Sequence, residues 1–361
     1  MSKTTRLNGI DLCRGLAAFA VILVHSGDET WGVPISEAAI SFRQLFYFAV
    51  PFFLAASFYF GTRKLPLKLD RSFWVKKFKR IVLPYLLWST FYVVMKTIIF
   101  SLSNETAEVK RLLANPISLV FFGGASYHLY FIPLLLAGLV LFYFVNYLTK
   151  LPNQTVVLGC SVLFGLIVYQ LLLNTGNDFN LGTASAFPGL LQFVPANNIF
   201  YQPVRIVLVY LSWAVRCLPY LTIALLVNHV LKQNIGRWFY TRTTATVLLV
   251  ICVLANVGEP LLPGAVNEIA IAYSLLLFGI AISKYLPENN SIDNLGACSF
   301  GIYLIHPFIK SAVDVFLVEF FPQITQSVSI LSMCVYAIAT FFISWGVVSL
   351  MQRQKFIARY I

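Results

Sequence analysis

Ten apolar runs follow one another along the chain, near residues 8–27, 38–61, 81–101, 127–148, 155–173, 207–231, 243–258, 266–285, 298–317 and 328–350. Each is long enough to be read as a helix through a hydrocarbon core of about 30 Å, the seventh being the shortest. Chain breakers punctuate them: Pro66, Asn115-Pro116, Pro152-Asn153, the polar stretch Asn174 to Asn177, Gly258-Glu259-Pro260 and Glu288-Asn289-Asn290. The pattern predicts an all-α polytopic integral membrane protein. It reads as one membrane-embedded domain over 1–361 with about ten transmembrane helices, and an even number returns both termini to one side.

Composition agrees with the pattern. Of 361 residues 59% are hydrophobic and 11% charged, whereas a soluble domain carries about 25% charged residues. The net charge of +12 would suit a nucleic-acid partner, but its distribution reads otherwise. With the termini in the cytoplasm, most basic residues fall on that side, among them Lys3, Arg6, Arg63, Lys64, Lys76, Lys77, Lys79, Arg80, Lys150, Lys232, Arg353 and Lys355. The opposite loops hold chiefly Lys110, Arg111 and Arg205. That is the positive-inside bias of a membrane protein, and no nucleic-acid partner is expected. The first run carries Arg14 and lacks a small-residue cleavage site, so it reads as a retained helix and not a signal peptide. The six cysteines are scattered through apolar runs and form no redox or metal motif. The loop near 174–206 is the largest expected outside the cytoplasm, and Gly123-Gly124 within 117–126 suggests a short re-entrant piece before the fourth span. No inverted repeat is evident.

Chemistry enters where the apolar pattern is broken. Arg14 and His25 both lie in the first run, with ten residues between them. Eleven helical steps return to within about 20° of the starting azimuth, roughly 16 Å along the axis. The pair therefore marks two stations on one stripe, and ionisable groups at membrane depth face a protein interior or an aqueous path. A neutral imidazole is suited to deprotonate a hydroxyl near neutral pH. Lys76, Lys79 and Arg80 follow at i, i+3, i+4 before the third span. They suit either a phosphate clamp or contact with anionic lipid. Ser299, Tyr303 and His306 share a face of the ninth span, with Gly301 and Pro307 beside them, and are expected to face the same interior as His25. His128, in Tyr127-His128-Leu129-Tyr130-Phe131, reads on chemistry alone as part of an interfacial aromatic belt, and His229 as interfacial too. No spacing supports a metal site.

Taken in order, these segments resemble the acyltransferase-3 family of integral membrane acyltransferases, which modify surface and secreted glycans in bacteria. The likeness rests on Arg14-Gly15-Leu16-Ala17-Ala18 through His25, Val50-Pro51-Phe52-Phe53 through Ser57, the basic run Lys76 through Pro84-Tyr85, His128-Leu129-Tyr130-Phe131, and Ser299 through His306. Two departures stand out: Phe58 where the family has Gly after the serine, and Tyr130 where it has Trp.

The resemblance implies acyl transfer, most commonly of acetyl, from cytoplasmic acyl-CoA to a hydroxyl of a cell-surface or secreted glycan at a bacterial inner membrane. Acetyl-CoA or another acyl-CoA is then a co-substrate, and no cofactor is permanently bound. Arg14, Lys76, Lys79 and Arg80 are expected to hold the CoA phosphates. His25 is expected to act as general base, with Arg14, Tyr303 and His306 in the catalytic set; Tyr303, His306 or His128 would orient His25 or donate to the oxyanion. His128, Ser57 and Ser299 are expected to line the acceptor pocket. The expected partners are a glycan or lipid-linked saccharide, membrane lipid and glycan-assembly proteins. Direct transfer and an acyl-histidine route both fit. Two other readings of the same residues stay open: a secondary transporter of an anionic solute using Arg14 and His25, and a non-catalytic scaffold in glycan assembly.

Overall fold

The computed structural model describes residues 6–26, 33–63, 65, 68–175, 191, 193–195, 197–233, 239–257, 262–354 and 356–360. Among these residues the secondary structure is helical, apart from one parallel bridge between Ile35 and Val328. The helices are α1 (Asn8–Val24), α2 (Glu37–Gln44), α3 (Ala49–Thr62), α4 (Arg71–Leu102), α5 (Thr106–Leu113), α6 (Pro116–Phe121), α7 (Phe131–Val140), α8 (Phe142–Leu148) and α9 (Gln154–Asn174). They continue with α10 (Tyr201–Lys232), α11 (Arg242–Val257), α12 (Gly264–Ile282), α13 (Asn290–Phe320), α14 (Pro322–Thr325) and α15 (Ile330–Gln352). The protein is an all-α polytopic membrane protein.

Among the described residues seven helical segments are long and apolar enough to cross a bilayer, and the α7–α8 pair, bent by 41°, makes an eighth if it is one span. The expected ten is not reached on that measure. The expected first and seventh spans, α1 and α11, are 17 and 16 residues long, about 25 Å at the α-helical rise and short of a full hydrocarbon core. Much of the expected loop 174–206 lies outside the described residues.

Two of the breakers, Asn115 and Asn289, and three other polar residues cap helices. Ser36 accepts the Ala39 N–H at 3.2 Å, Asp70 that of Phe73 at 2.9 Å, and Asn115 that of Ser118 at 3.0 Å. Asn289 caps α13, and Ser329 with Ser332 forms a reciprocal capping box on α15. Each cap meets helix-end N–H groups that would otherwise lack a partner.

The chain divides into two compact units. One is built from Met1–Ser57 and Leu231–Arg359, the other from Phe58–Val230. In the first, α1 packs on α12, α13 and α15. Small residues set the distances. A Cβ on Gly9 would collide with the Gly279 carbonyl, one on Gly15 with Leu295, and one on Gly296 with the Asp11 carboxylate. Gly9 also donates its N–H to Ser283 Oγ at 3.0 Å, and Ser283 Oγ donates to the Gly279 carbonyl at 2.7 Å. Toward its C-terminal end α1 meets α15 through the edge-to-face pair Phe19 and Phe341, 5.6 Å between centroids. Leu12 and Leu16 point away from these partners and are exposed, as lipid-facing positions should be.

In the second unit, the re-entrant piece expected near 117–126 is a short helix, α6, and a turn at Gly123 with φ +77°. The Tyr85 hydroxyl of α4 donates to the Val120 carbonyl at 2.9 Å and accepts the Gly123 N–H at 3.0 Å. Tyr210 of α10 donates to the Phe121 carbonyl at 3.1 Å. Irregular backbone is tolerated at membrane depth only when protein groups satisfy it in this way. Tyr85, Ser89 and Tyr92 form a buried polar stripe along α4.

Replacing Gly9 or Gly296 by alanine is expected to destabilise the first unit by about 1–3 kcal/mol, the usual cost of forcing extra carbon into a packed site. The check is the thermal unfolding of each detergent-purified variant, with Gly159→Ala as the control. A Cβ at Gly159 meets nothing within 4 Å.

Candidate active site

The first unit gathers ionisable groups at both ends of α1. At the N-terminal end Asp11 is buried and both carboxylate oxygens are engaged. Arg6 Nε reaches Oδ2 at 2.7 Å, and Arg14 reaches Oδ1 at 3.2 Å from one turn further along. Arg6 also lies 3.3 Å from Asp293 at the start of α13. Its hydrogen bond to Asp11 raises the Arg6 guanidinium above its ordinary value. Two fixed cations thus face two carboxylates. Arg14 keeps 29% of its side chain accessible, so it is anchored yet open to a ligand. Asp11 was not singled out in the sequence, although an acid three residues before an arginine on one helix is a readable pairing signal.

At the C-terminal end, His25 caps α1 and is half-buried. The ninth-span stripe lies on α13, where Ser299, Tyr303 and His306 are all buried. His306 Nδ1 is 2.8 Å from the Tyr303 carbonyl, and His306 lies within electrostatic reach of His25 and Lys310. Ser299 Oγ is engaged on its own helix, donating to the Gly296 carbonyl at 3.0 Å. Tyr303 stacks on Phe300 with 6.1 Å between centroids. Ser57 is half-buried on α3. Lys310, one turn beyond His306 and buried, went unremarked in the sequence because it sits near the end of a long apolar run.

The second unit holds the remaining candidates. His128 is buried, with Nδ1 3.1 Å from Ser126 Oγ and its ring edge-to-face with Tyr92, 5.4 Å between centroids. Tyr92 stands about ten residues, or roughly 15 Å, from either end of the apolar part of α4. His128 is therefore an interior histidine, which corrects its reading as an interfacial belt residue. Lys96 follows one turn beyond Tyr92 on α4. Arg205, counted above as a loop residue, lies within α10, because that helix begins at Tyr201 and not near 207. It is buried, with its guanidinium 5.1 Å from the centroid of Phe122. His229 meets Thr155 at 3.2 Å.

Lys76, Lys79 and Arg80 are exposed, and the segment that carries them is not the regular α-helix on which their one-face spacing is reckoned. Residues Phe78–Val82 form a π-helical turn. Its i→i+5 bonding widens the turn, so positions three apart, as Lys76 and Lys79 are, no longer stack as on an α-helix. Such turns are frequent at functional sites. Among the described residues no group of three or more His, Cys, Asp or Glu is placed to hold a metal ion.

These features describe a membrane-embedded protein with a charged cluster at one end of its first helix and an imidazole pair at the other. The family model for the acyltransferase-3 group, described as an acyltransferase domain, matches residues 7–349. The chain belongs to that family and is a multi-pass membrane protein. A curated relative, an amino-acid racemase of Enterococcus faecalis, is 27% identical over 211 residues, covering 55% of this chain and 28% of the relative. The chain thus spans little more than a quarter of that protein's length. No solved structure matches.

Replacing Asp11 by asparagine is expected to loosen Arg14 and Arg6 together. The loss should be about 1.5–3 kcal/mol, the usual worth of a hydrogen bond to a charged group, with Arg6→Ala costing less because that side chain is 48% accessible. Unfolding of the variants in detergent at low and high salt is the check.

Proposed function

We propose that this membrane protein is an acyltransferase that moves an acyl group, acetyl in the first instance, from acyl-CoA to a hydroxyl of a cell-surface or secreted glycan, with His25 as general base. The observation that carries the reading is the pair of stations on α1. An anchored, part-open arginine stands near its N-terminal end, and a histidine stands at its C-terminal end in the company of His306.

In this reading the N-terminal end of α1 faces the cytoplasm of a bacterial inner membrane. Arg14 binds a CoA phosphate through charge-assisted bonds. Asp11 holds the guanidinium in place. Lys76, Lys79 and Arg80 are a second phosphate-binding set in the other unit, where their exposure suits a soluble nucleotide. The acyl thioester meets the acceptor hydroxyl beside His25. As the hydroxyl oxygen attacks the acyl carbon, His25 takes its proton, and the C–S bond then breaks to release CoA thiolate. The acceptor is a glycan or a lipid-linked saccharide, and Ser57 and Ser299 are assigned to its recognition.

Arg14→Ala is expected to raise KM for acetyl-CoA by about 10- to 100-fold with turnover little changed, the loss of one charged hydrogen bond. His25→Ala should lower kcat by about 10²–10⁴ with KM held. Inverted vesicles supplied with radiolabelled acetyl-CoA and an extract of host surface glycan give both numbers. Equal, small effects from the two variants would overturn the assignment. Label that crosses the membrane without a covalent product would favour transport by Arg14 and His25.

A further inference from the structure

The polar stripe of α4 runs one step beyond its buried part. Tyr85, Ser89, Tyr92 and Lys96 are spaced 4, 3 and 4 residues apart, which keeps all four within about 60° of one another on an α-helix. The first three are buried, and Lys96 is half-buried. The stripe is held from within the second unit. The Tyr85 hydroxyl engages the turn at Gly123, and the Tyr92 ring meets His128. Lys96 lies six residues, about 9 Å, before the end of α4 at Leu102, the end away from its basic run.

Lys96 differs from the rest of the stripe in having nothing to answer its polarity. Among the described residues its ammonium makes no hydrogen bond, ion pair or ring contact. Neither α4 nor α7, α8, α9 or α10 carries an Asp or Glu, so none of these helices supplies it with counter-charge. Glu108, on the short helix α5, faces Arg111 at 3.7 Å. An ionisable side chain in an apolar span is costly and marks a functional position by default. The surroundings of Lys96 indicate from where an anion would come. Ile99, on the adjoining strip of the helix, and Leu102 are both exposed, so the end of the stripe opens toward lipid.

We propose that Lys96 is the headgroup subsite for a lipid-linked substrate, its ammonium pairing with the phosphate of an amphiphile whose apolar chain lies along Ile99 and Leu102. Resting on the acyl-transfer reading, this selects the lipid-linked saccharide over the free glycan as acceptor. An ammonium binds phosphate as a compact point charge. A lysine near a helix end extends its stem along apolar surface and carries that charge toward the headgroup level.

The first test needs no activity. Thermal unfolding of the detergent-purified protein is followed with farnesyl diphosphate, farnesol, inorganic diphosphate or phosphatidylglycerol. Farnesyl diphosphate at a hundredfold excess over its Kd should raise Tm by about 4 °C or more. Farnesol and inorganic diphosphate, each lacking one of the two contacts, should do much less. Lys96→Met keeps an apolar stem without the charge and should abolish the shift, whereas Lys96→Arg should retain it. An equal shift in Lys96→Met and the unmodified protein, or none in either, would overturn the proposal. The same shift from phosphatidylglycerol would overturn it too, since the site would then be one for ordinary membrane lipid.

The kinetic arm compares a lipid-linked saccharide with the same glycan freed from its lipid in the acetyl-transfer assay. Lys96→Met should lower the preference for the linked form, read as the ratio of the two kcat/KM values, by about 10- to 100-fold, the loss of one charged contact. An unaltered ratio would overturn the assignment. Absence of transfer by the unmodified protein to either acceptor would refute the acyl-transfer reading, while the melting shifts would still decide whether Lys96 binds a phosphate amphiphile.

Discussion

The shared carboxylate of Asp11 is the interaction on which the first unit is organised. A single buried acid holds two arginines, and Gly296 lets α13 approach closely enough to close over it. A membrane interior penalises any charge without a partner, so the position of Arg14 is not free to vary. Fixing Arg14 fixes the azimuth of α1. His25, three turns on, then stands on the side where α13 brings His306. The packing of glycines at Gly9, Gly15 and Gly296 serves the same end, because every added carbon there would move a polar group as well as an apolar one.

The same constraint governs the backbone. At two places where the described chain leaves regular helix, a side chain meets the freed groups: Tyr85 and Tyr210 at the turn before Gly123, His306 at the gap made by Pro307. In water these bonds would be replaced by solvent at little cost. In hydrocarbon they are obligatory, and functional side chains are held by the requirement that also holds the fold together.

Much of this was legible in the sequence, for a physical reason. The apolar runs and their breakers follow directly from the thickness of the hydrocarbon core, and the caps at Ser36, Asp70, Asn115, Asn289 and Ser329 lie in or beside those breaks. Arg14, His25 and His306 were visible because polarity inside an apolar run is conspicuous. Asp11 and Arg205 were less so, since each lies at the edge of a run, where polarity is expected, and only the helix boundaries show that they are interior. His128 looked interfacial because the segment before it was read as the outside of the membrane, whereas it is buried with its ring against Tyr92. The π turn at Phe78–Val82 left no periodicity signal at all: hydrophobic spacing assumes the very helix geometry that this segment abandons.

That turn has a consequence for the whole of α4. A π turn accommodates one residue more than an α turn over the same rise, so it acts as a phase shifter between the parts of the helix on either side of it. Before it lies Lys76 of the basic run, within it Lys79 and Arg80, and beyond it the stripe of Tyr85, Ser89 and Tyr92. Each residue of an α-helix adds about 100°, so a helix shorter by one residue here would turn the leading part by about a quarter of a revolution against the stripe. The angular relation between an exposed basic run and a buried polar column is thereby a property of chain length at one point, alterable by a single insertion or deletion without touching a side chain in either.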